Sequence, residues 1–187
     1  MSFFHLLYKM GIHSDKVKKE KYKMNSLDIS LIFSILSCSL VSGFTFTYAI
    51  IVMPGLSKLN DTEFIRAFQV TDAIIQNNQP LFMLTWVGSI ISLLVTILIS
   101  ILTVELSEAW VIVLIGIVYL LGVQGITIRT HLPLNNHIQK LNINELSDHR
   151  LKSERIKFET KWNYFNHIRT GIAFFVSLSL IIILATQ

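Results

Sequence analysis

Four long apolar runs dominate the chain, from about Leu27 to Met53, Leu81 to Val104, Ala109 to Ile128 and Phe165 to Thr186. None carries a charge in its central part. A helix needs about 20 predominantly apolar residues to cross roughly 30 Å of hydrocarbon, and each run is long enough. Inside lipid the backbone must satisfy its own hydrogen bonds, so the runs are helices. The short alternating segments of a barrel are absent. Only Glu105-Leu-Ser-Glu108 separates the second run from the third, which forces a tight antiparallel hairpin. The pattern predicts an all-α fold: a four-helix antiparallel transmembrane bundle with short interfacial helices at one face.

Two longer connections carry the remaining periodicity. In the first, Asn60-Asp-Thr-Glu63 has the form of a capping box. Phe64, Ile65, Phe68 and Ile75 then recur at near-helical spacing, which predicts a short interfacial helix closing before Asn77-Asn-Gln-Pro80. The second connection, Arg129 to Tyr164, is polar, and its second half reads as a helix feeding into the fourth span. Pro133 is expected to turn the chain there and direct Asn135 back over the bundle.

Composition agrees with a membrane protein: 52% of residues are hydrophobic and 15% charged, whereas soluble domains average about 25% charged. The mean hydropathy is +0.56. The net charge of +4 is unevenly spread, with Lys9, Lys16, Lys18, Lys19, Lys21 and Lys23 crowded near the start. Residues 1–26 therefore read as a lysine-rich juxtamembrane tail and 27–187 as one four-span membrane domain. Such a tail suits an anionic lipid surface, and so apolar a chain is no nucleic-acid binder. A cleaved signal peptide is a poor reading, because the first long apolar stretch starts late and lacks an Ala-x-Ala site. The lone cysteine, Cys38, permits no internal disulfide. Basic residues flank the spans on both sides, and the tally leans toward cytoplasmic long connections.

Antiparallel topology brings four span ends to one face. They carry Val52-Met-Pro-Gly-Leu56, Asn77-Asn-Gln-Pro80, the segment Arg129 to Asn136, and the segment Trp162 to Thr170. Polar residues converging at one mouth of a bundle predict a pocket. Trp162, Asn166 and Arg169 share a helical face, extended by Phe158, and Gln124, Thr127 and His131 form a second stripe. The duller readings are snorkelling for Arg169, an aromatic-belt anchor for Trp162 and interhelical glue for Gln124. Ser34, Cys38 and Ser42, and likewise Gly116, Gly122 and Gly125, are small residues suited to close helix packing. A metal site drawn from His131, His167 and Asn135 or Glu63 lacks the tight spacing of known ligand motifs, so no metal is assigned. The cofactor is left open.

These motifs, with Gln79-Pro80, Leu132-Pro-Leu-Asn135 and Trp162-x-x-x-Asn166-His-Ile-Arg-Thr170, resemble the anthrone oxygenase-like family of small four-span membrane proteins. The resemblance covers roughly residues 30–186 and implies a four-helix bundle. For members acting in fungal polyketide pathways it implies oxygen-dependent oxidation of an anthrone to an anthraquinone. This chain has His131 where the family commonly has asparagine, and Asp72 near a position where the family tends to have another.

On that resemblance the expected substrate is an aromatic, anthrone- or quinol-like small molecule, with dioxygen and membrane lipid as the other partners. The chemistry needs a base, a stabilised enolate oxygen and a dry cavity. Histidine, with a reference pKa of ~6.5, suits the base. Family grounds favour His167 in this role, with His131 the alternative. Arg169 completes the catalytic candidates, and Asn135, Trp162, Asn166, Asn78 and Gln124 are the substrate-binding candidates. Phe158 and Phe165 are further candidates for stacking on a planar ring. The rival expectation is a non-enzymatic bundle that binds lipid or a membrane partner. A transporter is disfavoured, because no polar track crosses the full bilayer.

Overall fold

The computed structural model describes residues 24–186, and within them all regular structure is helical. Five helices follow one another: α1 (Ser26–Leu56), α2 (Asp61–Gln76), α3 (Pro80–Thr103), α4 (Leu106–Gln139) and α5 (Asp148–Thr186). A single 3-10 turn, Ile143–Glu145, lies between α4 and α5. Helices α1, α3, α4 and α5 are long and apolar enough to cross a membrane, so this is a multi-pass integral membrane protein. Up to Lys23, the lysine-rich tail lies outside the described residues.

Local sequence explains where the helices start. Asn25 accepts from the Asp28 backbone N–H while Asp28 accepts from that of Asn25, a reciprocal capping box. Asn60 and Glu63 repeat the device at the head of α2. Pro80 occupies the first turn of α3, where its missing N–H costs nothing, and the Gln79 side chain accepts from the Phe82 N–H.

The four spans pack in a ring, α1 against α3 and α5, and α4 against α3 and α5. Small residues set the close approaches. Ser34 and Thr96 share a hydrogen bond of 2.9 Å between α1 and α3, as do Ser37 and Ser92. A β-carbon on Gly116 would strike Ile97 of α3, and one on Gly122 would strike Ile172 of α5. Gly125 meets no such side chain, so only the first two glycines serve interhelical contact. The outward faces expose Phe33, Leu36, Leu102, Leu121 and Phe175 to lipid.

Helix α5 has 39 residues, about 58 Å at 1.5 Å per residue, nearly twice the hydrocarbon thickness. Its first half continues past the span as a post, against which α2 and the ends of α1 and α4 pack. The expected short helix therefore forms, but protein covers its apolar face. Phe68 meets Phe158 at 4.5 Å between ring centres and Trp162 at 6.1 Å, with Phe64 and Ile65 fully buried beside them.

Proline acts differently from expectation. Pro133 does not turn the chain, and α4 runs through it to Gln139. The helix widens just before the ring, and the Leu132 N–H reaches back to Thr127 in a π-helical turn over Thr127–His131. The same occurs before Pro54, where the Met53 N–H bonds to Tyr48 and the π turn spans Tyr48–Val52. A proline ring clashes with the carbonyl four residues earlier and offers no N–H, so an extra residue in the preceding turn relieves both problems. Both widened turns sit at the same end of the bundle.

Candidate functional site

At the end opposite the α3–α4 hairpin, the spans and α2 enclose a cavity of about 360 Å³. Its floor and walls are aromatic, from Phe44 and Tyr48 of α1, Phe82 and Trp86 of α3, and Trp162 of α5. The widened turns before Pro54 and Pro133 supply Tyr48 and His131 to it, and a third such turn, Leu120–Gly125 of α4, which precedes no proline, supplies Gln124.

Arg169 points inward and is 4% exposed. Its Nε donates to Asn166 Oδ1 and its Nη1 to Thr127 Oγ1, each at 3.0 Å. The guanidinium lies 5.8 Å from the Trp86 ring centre and 5.5 Å from that of Trp162, within cation–π range. Both acceptors are themselves held. Asn166 donates to the Thr45 carbonyl of α1, and Thr127 donates to the Val123 carbonyl. Among the described residues no carboxylate pairs with Arg169, and its Nη2 donates no hydrogen bond. Arg155, by contrast, meets both Asp61 and Glu159. A desolvated charge without a counter-charge is a standing cost to the fold, only partly offset by neutral donors and rings.

His131 is 2% exposed and stands edge-on to Trp162, with ring centres 5.0 Å apart. Neither of its ring nitrogens has a hydrogen-bond partner among the described residues. An unsatisfied buried donor or acceptor costs about 1–3 kcal/mol. Gln124 is half tethered: its Nε2 donates to Tyr119 Oη at 3.3 Å and Ser89 Oγ at 3.4 Å, while its Oε1 is unpartnered. The cavity thus holds an uncompensated cation, a free imidazole and a free carbonyl oxygen.

A second polar group lines the chamber from α2 and the end of α4. Asp72, 2% exposed, accepts from Asn135 at 2.7 Å, Gln76 at 2.6 Å and Gln139 at 3.0 Å. Asn135 Oδ1 in turn accepts from Trp162 Nε1 at 3.0 Å. One carboxylate on α2 thereby sets the Asn135 amide and, through it, the plane of Trp162. Asp72→Ala would strand these amide donors, and hydrogen bonds to charged groups contribute about 1.5–3 kcal/mol each. We expect a loss of about 2–3 kcal/mol, read as a lowered melting temperature in detergent; an unchanged melting temperature would show that α2 does not depend on this anchor.

Helical geometry divides the residues singled out by sequence. Arg169, His131, Asn135, Trp162, Asn78 and Gln124 all line the cavity, and Asn166 braces Arg169 from behind. Asn78 sits at the rim with a left-handed backbone, φ 57°, which asparagine tolerates in the tight turn between α2 and α3. His167 is not brought in. It is exposed, and its Nδ1 meets the Asn163 carbonyl of its own helix. At 100° per residue it lies about 140° around α5 from Trp162. The combination of His131, His167 and Glu63 is accordingly not assembled, since Glu63 caps α2. Phe165 lies on a different groove with Leu121 and Lys161, and Phe158 packs into the apolar cluster with Phe64 and Phe68.

Sequence reasoning passed over the walls Phe44, Tyr48, Phe82 and Trp86, and it named Asp72 as one of the acceptors for Arg169 beside Asn135 and Asn166, of which the structure forms only the bond to Asn166. Two signals were present. Phe44 with Tyr48 and Phe82 with Trp86 are i, i+4 aromatic pairs at the mouth ends of spans, and Asp72 continues the buried Phe64, Phe68 stripe of α2. An acid on an apolar face calls for a polar partner.

The architecture defines a class: a small four-span membrane protein with an aromatic chamber at one end, holding an unneutralised arginine. Residues 74–179 match the protein-family model described as Anthrone oxygenase, and the chain belongs to that family. The matched region includes the Gln79-Pro80, Leu132–Asn135 and Trp162–Thr170 motifs and leaves out Val52–Leu56. Comparisons with curated proteins and with solved structures gave no match.

Proposed function

We propose that the chamber oxidises a flat aromatic, anthrone- or quinol-like substrate with dioxygen. The observation that carries this reading is the grouping of Arg169 without a counter-charge, His131 with both nitrogens unpartnered, and the rings of Trp86 and Trp162 around one cavity. His131 replaces His167 as the base, because only His131 lines the chamber. It removes a proton from the acidic methylene, and Arg169 Nη2 stabilises the resulting enolate oxygen. The enolate passes one electron to dioxygen, and the carbon radical and superoxide combine to a peroxide after reprotonation. Loss of water then leaves a carbonyl, so that the methylene and one dioxygen yield one ketone and one water. A quinol would instead give its two hydrogens to dioxygen, forming a quinone and hydrogen peroxide.

The test is oxygen consumption by the full chain in lipid nanodiscs, supplied with a series of anthrones and hydroquinones. We expect one dioxygen consumed per quinone formed, well above the spontaneous rate. A rate no greater than that of empty nanodiscs across the series would return the protein to the non-enzymatic class, as a lipid- or partner-binding bundle.

A further inference from the structure

Arg169 lies buried where a cation without a counter-ion is costly, and its two bound nitrogens both meet neutral oxygens. The charged and titratable groups facing the chamber from the other elements are Tyr48 of α1, Asp72 of α2 and His131 of α4, while α3 presents Phe82, Met83 and Trp86. Asp72 is the only acid among these lining residues, and its oxygens are already taken by Asn135, Gln76 and Gln139. No ion pair on the chamber wall therefore neutralises the guanidinium, whereas Arg169, Trp86, Trp162 and Gln124 all line the cavity.

We infer that the chamber takes its ligand as a ground-state anion, a flat aromatic phenolate with its oxygen on Arg169 and its rings against Trp86 and Trp162, the proton that His131 removes being a second one. The inference rests on the proposed function's reading of the chamber as the substrate site and adds to it. The charge that Arg169 lacks arrives with the ligand at binding, before any reaction. Compounds too weakly acidic to ionise at working pH then bind more weakly, because the arginine stays desolvated and unpaired until they lose a proton. Ring stacking favours a flat body over an aliphatic chain of equal charge.

The experiment is calorimetric titration of the full chain in nanodiscs, with no oxidation required. The probes are a nitro-substituted naphthol, ionised at neutral pH, and its methyl ether, which has nearly the same shape and no charge. A hydrogen bond to a charged group is worth about 1.5–3 kcal/mol, so the ether should bind about 10- to 100-fold more weakly. Acidifying below the naphthol's own ionisation should weaken it about tenfold per pH unit and leave the ether unchanged. Arg169→Gln should abolish the preference; because that variant can fail to fold, the comparison of the two probes on the native chain decides alone. Equal binding of naphtholate and ether overturns the inference while the chamber remains a ligand site. Tighter binding of a straight-chain carboxylate overturns the aromatic half of it, and binding of none of the probes overturns it entirely. Oxygen consumption is measured separately, so each failure is distinct from failure of the oxidase reading.

Discussion

Arg169→Lys is expected to lower oxygen-dependent turnover by about 100-fold or more, the usual loss when one oxyanion-stabilising donor is removed. The native side chain is fixed at two points, Nε on Asn166 and Nη1 on Thr127, and a planar fork with a third nitrogen to spare can do this while still reaching a ligand. A lysine ammonium is a single point charge on a flexible stem. It can bond Asn166 or Thr127, or meet the substrate oxygen, but it cannot span all three. It also loses the flat face that lies near Trp86 and Trp162. Were Arg169 serving only to reach lipid headgroups, lysine would substitute freely. Steady-state oxygen uptake by the purified variant checks this, and turnover within threefold of the native chain would remove Arg169 from the proposed chemistry.

His131 carries the second large effect. General-base catalysis contributes about 10²- to 10⁴-fold, and His131→Leu should remove it. The same change should leave the melting temperature unchanged or raise it, because it eliminates two buried nitrogens that have no partner. Opposite signs for activity and stability would mark a residue kept for chemistry at the fold's expense. His131→Asn is the sharper variant, since asparagine keeps a polar side chain in the wall but cannot act as a base. If the imidazole is the base here, asparagine lowers turnover to the leucine level. If the asparagine variant keeps native turnover, the base lies elsewhere and His131 is a wall residue. His167→Ala serves as the control, with little effect on either reading, because that side chain faces away from the chamber.

The contrast between the two histidines shows what can be read from a sequence. Both stand near a span end among motif residues, and the resemblance favoured His167. Helical phase already spoke against it, since Trp162, Asn166 and Arg169 define one face of α5 and His167 falls nearly opposite. Where phase was applied, it agreed with the structure: the α5 stripe and the Gln124, Thr127, His131 stripe of α4 both face inward. Periodicity is a local property of the chain and needs no partner to be recognised. The capping box at Asn60 was legible for the same reason, as a pair of side chains reaching only three residues.

Proline shows the limit from the other side. Pro133 read as a turn because the residue itself forbids a regular α-helix. Whether the chain breaks or widens depends on whether neighbours hold the helix on either side. Here α5 packs along α4 above and below the ring, so widening is favoured and α4 continues. The aromatic walls follow the same logic, because Phe82 and Trp86 face the chamber only through the way α3 packs in the ring.

Composition, run length and turn spacing therefore determined by themselves that the chain crosses the membrane four times, and which ends of the spans meet. Those follow from the transfer energy of apolar residues and from backbone hydrogen bonding, both of which act within a single helix. Tertiary structure alone decided that Asp72 accepts from three amides while Arg169 has no counter-charge among the described residues. In the sequence the two were equally good partners for one another. Their separation depends on where α2 leans against the post of α5, and a pairing between distant segments is settled by packing, not by either segment's own preferences.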